Sequence, residues 1–188
     1  MKYAGFWRRF GAFWADTIIL TPWMWGVGYF LSEKSRLFNL YFFIPGLLFG
    51  WWFYVYLVAK HGGTPGKLLL KIRIAMADGS SVTYRAAAIR YSVLFALSTL
   101  SSLAVLIGTL KMTDAQYFSL DYLARSRMTL ELAPHWYTTI SVLLQIWIWG
   151  EFVTMLLNKK RRAAHDFMAG TIVIRRDTDA AVPPAEGA

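Results

Sequence analysis

The sequence predicts an all-α membrane protein with four transmembrane helices and a small cytoplasmic β element formed by the middle loop and the C-terminal segment. Apolar runs of about 20 residues recur four times, each enough to cross roughly 30 Å of bilayer hydrocarbon. The 188 residues are 56% hydrophobic and 17% aromatic, more than a soluble domain of this length needs to bury. Lysine and arginine stand between the runs and not along one polar face, so the net charge of +9 follows membrane topology and argues against nucleic acid. The absence of cysteine excludes disulfides, thiolate metal sites and thiol nucleophiles.

The first helix is expected over residues 10–30, entered through Arg8 and Arg9 and carrying one carboxylate, Asp16. Asp16 lies two turns beyond Arg9 on the same helical face, about 10 Å deeper. The run is longer than a signal-peptide core, contains that acid and precedes no A-x-A-like cleavage site, so it reads as a retained helix. The second helix, 40–59, contains Gly46 and Gly50 at the spacing that lets another helix approach closely. The third is expected over 89–110, beside Arg90, and the fourth over 137–157, closed by Lys159-Lys160-Arg161-Arg162.

Four spans put both termini on one side. Fifteen of the 20 Lys and Arg residues fall in the N-terminal tail, the middle loop and the C-terminal segment. The remaining five are Lys34, Arg36, Lys111, Arg125 and Arg127 in the two opposite loops. That bias predicts cytoplasmic termini, and it places Trp23, Trp25, Tyr29, Tyr41 and Trp136 near the outer interface. In the middle loop, Ile72, Ile74 and Met76 alternate with polar or small residues. Asp78-Gly79 reads as a turn, and Val82-Thr83-Tyr84 as a returning strand. Thr171-Ile172-Val173-Ile174 has the same strand character, so a sheet joining the two segments is expected; an interfacial amphipathic helix over 67–76 is the rival. The outer loop, 111–135, has room for a short helix, and the tail 177–188 reads as disordered.

Few motifs carry chemistry. His61-Gly62-Gly63-Thr64-Pro65-Gly66-Lys67 fails as a phosphate loop, because the glycine spacing is short, Pro65 removes a donor and Leu68 replaces the magnesium-binding hydroxyl. Gly63 to Lys67 reads as a tight turn at the membrane surface, with Lys67 facing water or headgroups. The three histidines, His61, His135 and His165, are too few for a metal site, and His165 is expected to be structural or interfacial. No nucleophile elbow is present. Neither an enzyme nor a cofactor is expected. The intramembrane acids remain: Glu151 lies about 12 Å before Lys159 by helical rise, a depth similar to that of Asp16. Arg9 and Arg90 are close enough to pair with them. Such a cluster is either a structural lock or an ion or proton site.

The stretch from Tyr3 to Asp16, with Arg8-Arg9-Phe10-Gly11 at its centre, resembles the opening signature of the RDD family of small membrane proteins. Gly63-Thr64-Pro65-Gly66-Lys67, followed by the stretch from Lys71 to Gly79 and by Arg90, resembles its middle block, and His165-Asp166-Phe167-Met168-Ala169-Gly170-Thr171-Ile172-Val173 its closing block. By motif position the family's arginine is Arg9 and its aspartates are Asp16 and Asp166; Glu151 lies outside the signature. The resemblance implies a bacterial inner-membrane protein suspected of transport, with some members proposed to exchange monovalent cations for protons. A eukaryotic branch implies an accessory-subunit role instead. The expectations are thus a proton or cation pathway in an oligomer or membrane complex, or a scaffold recruiting partners or anionic lipid headgroups. Lipid or small-molecule handling beside Trp51, Trp52, Tyr54 and Tyr56 is a third.

Overall fold

A computed structural model describes residues 2–176, so the disorder expected for 177–188 falls outside the described residues. Helix α1 runs over Phe6–Ser32. Helix α2, Phe38–Trp51, continues through a π-helical turn, Trp52–Tyr56, into α3, Leu57–His61. A short α4, Pro65–Leu69, precedes strand β1, Ile72–Met76. Helix α5 spans Tyr84–Leu110, followed by α6, Asp114–Ser119, and α7, Tyr122–Glu131. Helix α8, Trp136–Leu156, leads to α9, Ala164–Ala169, and β2, Thr171–Arg175.

Three of these helical stretches are long and apolar enough to cross a membrane: Phe38–Leu69, Tyr84–Leu110 and Trp136–Leu156. Helix α1 has the length, at 27 residues, but Asp16, Pro22 and its tryptophans dilute its apolar character. Pro22 in α1 and Pro45 in α2 are both accommodated without ending the helix. Along α8, Val142, Leu143, Ile146, Val153 and Leu156 are exposed, as lipid-facing side chains are.

The chain divides into two compact units. Among the described residues, the first contains 2–19, 52–91 and 149–176. Its centre is the antiparallel pair β1–β2, in which Ile74 stands opposite Val173 and Ala75 opposite Ile172. The N-terminus adds to β2: Tyr3 bridges Ile174, and the Ala4 amide donates to the Val173 carbonyl at 2.9 Å. Ala75, Ile172 and Ile174 form a small core with Tyr3 packed on it. The expected sheet is therefore present, and β1 occupies the second half of the segment 67–76 on which an amphipathic helix was the rival, the short α4 ending within its first half.

The returning strand at Val82-Thr83-Tyr84 is not. The turn forms, with Gly79 at φ 91° and Asp78 Oδ1 accepting from the Ser80 amide at 2.9 Å. Thr83 then turns its hydroxyl to the Ala86 amide, 3.1 Å away, and Tyr84 begins α5. A threonine able to cap a long helix outweighs a three-residue strand propensity.

The second unit contains residues 20–51 and 92–148. Its loop carries two helices, not one. Thr113 and Gln116 form a reciprocal capping box at α6, and Asp121 caps α7 through the Ala124 amide at 2.8 Å. Arg125 is buried and paired with Glu33, and Asn39 donates to Thr109 at 2.9 Å. Gly108 allows a close approach in this unit, since a Cβ there would collide with the Thr129 carbonyl.

Candidate functional site: two buried aspartates

All five residues expected in the charge cluster lie in the first unit, and they form two separate arrangements. Asp166 is wholly buried at the third position of α9, where Oδ2 accepts from the Ala163 amide at 3.0 Å. Asp166 Oδ2 also accepts from Arg9 Nη1 at 2.9 Å, while Oδ1 accepts from Arg90 Nη1 and from the Thr171 hydroxyl at 3.1 Å. One carboxylate thereby ties α1, α5, α9 and the start of β2 together. Burial by itself would raise the Asp166 pKa, but Arg90, His165 and Arg9 reverse that and hold the carboxyl well below the usual range.

Arg90 reaches further. Its Nη2 lies 2.6 Å from His165 Nε2, and because a guanidinium only donates, Nε2 is the acceptor. The other ring nitrogen, Nδ1, lies 2.5 Å from Glu151 Oε2, and Glu151 Oε1 accepts from the His165 amide at 3.2 Å. Burial, then the charge of Arg90, lowers the pKa of His165 and keeps the ring neutral with its proton on Nδ1. Glu151 therefore pairs with His165 and not with an arginine. His165, expected to be structural or interfacial, is the link between Glu151 and Arg90.

Asp16 is placed differently from the expectation that Arg9 or Arg90 would pair with it. Its Oδ2 accepts from the Thr64 hydroxyl at 2.5 Å and its Oδ1 from the Gly66 amide at 2.6 Å. Lys67 Nζ donates to the same Thr64 oxygen at 3.2 Å, so Lys67 is half-buried and turned inward, not toward water or headgroups. Pro65 sets the first turn of α4, where its missing N–H costs nothing. Gly66 is there for space: a Cβ would overlap the Ala12 carbonyl and stand 2.7 Å from the Asp16 nitrogen. Gly63 to Lys67 is thus the receptor for Asp16. Among the described residues, no neighbour comes within 4 Å of a Cβ placed on Gly46.

Sequence reasoning missed the pairing of Asp16 with Thr64 and the membership of His165 and Thr171. The only available signal was that a hydroxyl, a proline and a glycine in sequence resemble a helix entry that welcomes a carboxylate. Among the described residues, no group of His, Cys, Asp and Glu side chains is suited to hold a metal ion.

Apolar helices long enough to cross a membrane, together with a buried Arg/Asp cluster, define this as a helical membrane-type protein. The family model described as "RDD family" matches residues 3–170, nearly the whole chain, and the chain belongs to that family. Comparison with curated proteins and with solved structures found no match.

Proposed function

We propose that this protein is a four-span protein of the bacterial inner membrane, with cytoplasmic termini, that moves protons or monovalent cations through the site at Asp16. In this reading α1 is the fourth span, and its buried acid, not the apolar mean of its sequence, is what marks it as functional. The observation that carries the proposal is the contrast between the two aspartates. Asp166 is locked by two guanidiniums, whereas Asp16 is held by a hydroxyl, an amide and no arginine. A carboxylate and a threonine oxygen are hard ligands suited to a small cation.

Entry of a cation would turn the Thr64 hydroxyl from donor to ligand. Protonation of Asp16 would cancel its charge and release the cation. Arg9 gives the cluster freedom to rearrange, because its Nε and Nη2 are buried without hydrogen-bond partners while Nη1 holds Asp166. Four helices are few for a carrier, so an oligomer or membrane complex belongs to this proposal.

The test is proton movement in proteoliposomes with a trapped pH dye, challenged with sodium, lithium or potassium gradients. Cation-dependent flux in wild type and its loss in Asp16→Asn, with equal reconstitution, is the expected result. Absence of flux from folded wild type favours the second reading, a non-catalytic scaffold. That reading draws on the completeness of the Asp166 network, which bonds four segments and leaves that carboxylate nothing further to accept.

A further inference from the structure

We propose that the Lys67 ammonium is a tethered competitor for the cation at Asp16, and that each cation entering there displaces one proton from Lys67. The inference rests on the reading of Asp16 as a cation site and deepens it, because it names what the cation must displace. Its basis is a chain of three groups in the first unit. The Asp16 carboxylate accepts from the Thr64 hydroxyl at 2.5 Å, and the Thr64 oxygen accepts from Lys67 Nζ at 3.2 Å.

Local structure fixes this order. Thr64 is wholly buried at the N-cap of α4, and its one hydroxyl proton points to Asp16 Oδ2. Only lone pairs then remain on that oxygen, for Lys67 or for a cation. Lys67 stands three residues beyond Thr64, the separation that brings side chains together across one helical turn. Gly66, between them, donates its amide to Asp16 Oδ1 at 2.6 Å, so α4 is pinned to α1 beside the hydroxyl. A lysine that served only to neutralise Asp16 would touch the carboxylate directly, and one that served the membrane surface would point outward. Lys67 does neither. It is half-buried and turned inward, and among the described residues its ammonium has one hydrogen bond, to the hydroxyl.

The charges that face Lys67 come from three elements: Asp16 and Arg9 from α1, Arg90 from α5 and Asp166 from α9. Both guanidiniums are bound to Asp166, so Asp16 is the carboxylate left to Lys67. A monovalent cation added to this set puts a second positive charge beside Asp16, in surroundings where like charges repel far more than in water. Loss of one proton from Lys67 removes that conflict. An N–H bond of the ammonium breaks, its electron pair stays on the nitrogen, the proton passes to water, and the net charge of the site is unchanged. Neither arginine can substitute, because a guanidinium keeps its proton. Return of the proton to Lys67 then weakens the hold on the cation before Asp16 itself is protonated.

The full chain, purified in nonionic detergent, is titrated by calorimetry with sodium, lithium and potassium chloride across a range of pH. Choline chloride is the ionic-strength control. In wild type, affinity should rise as pH is raised above about 7, with protons released on binding. Lys67→Met, neutral and of similar length, should bind at least about tenfold more tightly than wild type near neutral pH and lose that rise. Lys67→Arg, charged at every pH, should bind weakly throughout. Adding Asp16→Asn to Lys67→Met should abolish the binding, which locates it at Asp16. Lys67→Gln replaces Lys67→Met if that variant fails to fold. Equal affinity and an equal pH profile in wild type and Lys67→Met overturn the proposal and leave the cation reading of Asp16 standing. Weaker binding in Lys67→Met also overturns it, since Lys67 would then support the site. No heat beyond that of choline in either protein overturns the cation reading, and this inference with it.

Discussion

Asp16 and Asp166 carry the same carboxylate and differ in what surrounds it. Asp166→Asn leaves Arg9 and Arg90 facing a neutral amide in a buried site, and removing one partner of a buried ion pair costs about 3–5 kcal/mol. Asp16→Asn keeps an acceptor for Thr64 or Gly66 and breaks no direct contact with a guanidinium, although it removes the attraction that Asp16 exerts on the Lys67 ammonium across the Thr64 hydroxyl. Thermal melting in detergent should therefore show a large loss for Asp166→Asn and a much smaller one for Asp16→Asn; equal losses would sink the division of roles. A pH effect belongs to His165. The unfolded ring protonates near 6.5, whereas the folded ring stays neutral to lower pH, so below 6.5 the unfolded state binds more protons. Stability is full above that value and declines as pH falls from 6.5 toward the folded pKa. His165→Gln should flatten this decline in melting curves between pH 7.5 and 5. Asp166 acts at lower pH, its contribution being lost only as pH falls below the usual carboxylate range.

Among the elements, α4 is five residues long and its position depends on one glycine. Gly66→Ala would drive a methyl group into the backbone of α1 at Ala12 and Asp16, which cannot yield as a flexible side chain can. The expected cost is about 1–3 kcal/mol, the usual range for overpacking, with displacement of Thr64 from Asp16. Gly46→Ala meets nothing among the described residues and should leave melting within about 0.5 kcal/mol of wild type. A changed oligomeric state in Gly46→Ala, by light scattering in detergent, would show that Gly46 packs between copies. The spacing of Gly46 and Gly50 was visible in sequence. The tighter contacts at Gly66 and Gly108 were not, because a glycine's neighbour across the fold leaves no mark on its own segment.

For the whole molecule, the lysine and arginine count predicts the sides. The chain has no cysteine, so single cysteines can be read without background. Ser81→Cys should react with an impermeant thiol reagent only from the cytoplasmic side, and Ser119→Cys, exposed at the end of α6, only from the opposite side. Labelling of both from one side would mean that α5, the one long helix between them, fails to cross.

Apolar length, charge bias and strand alternation were legible in the sequence because each is a local property. They located the long helices within a few residues and anticipated β1 pairing with β2. They also put Arg9, Asp16, Arg90, Glu151 and Asp166 on one list, by depth and motif. Which acid meets which base was decided by tertiary structure alone. Depth along a helix fixes one coordinate, whereas a hydrogen bond needs all three. The bend at Gly62, the entry of α4 onto Asp16 and the short α9 carrying Asp166 supply the other two. A carboxylate takes the donors that the fold brings within about 3 Å, and for Asp16 these were a hydroxyl and an amide, while both arginines went to Asp166.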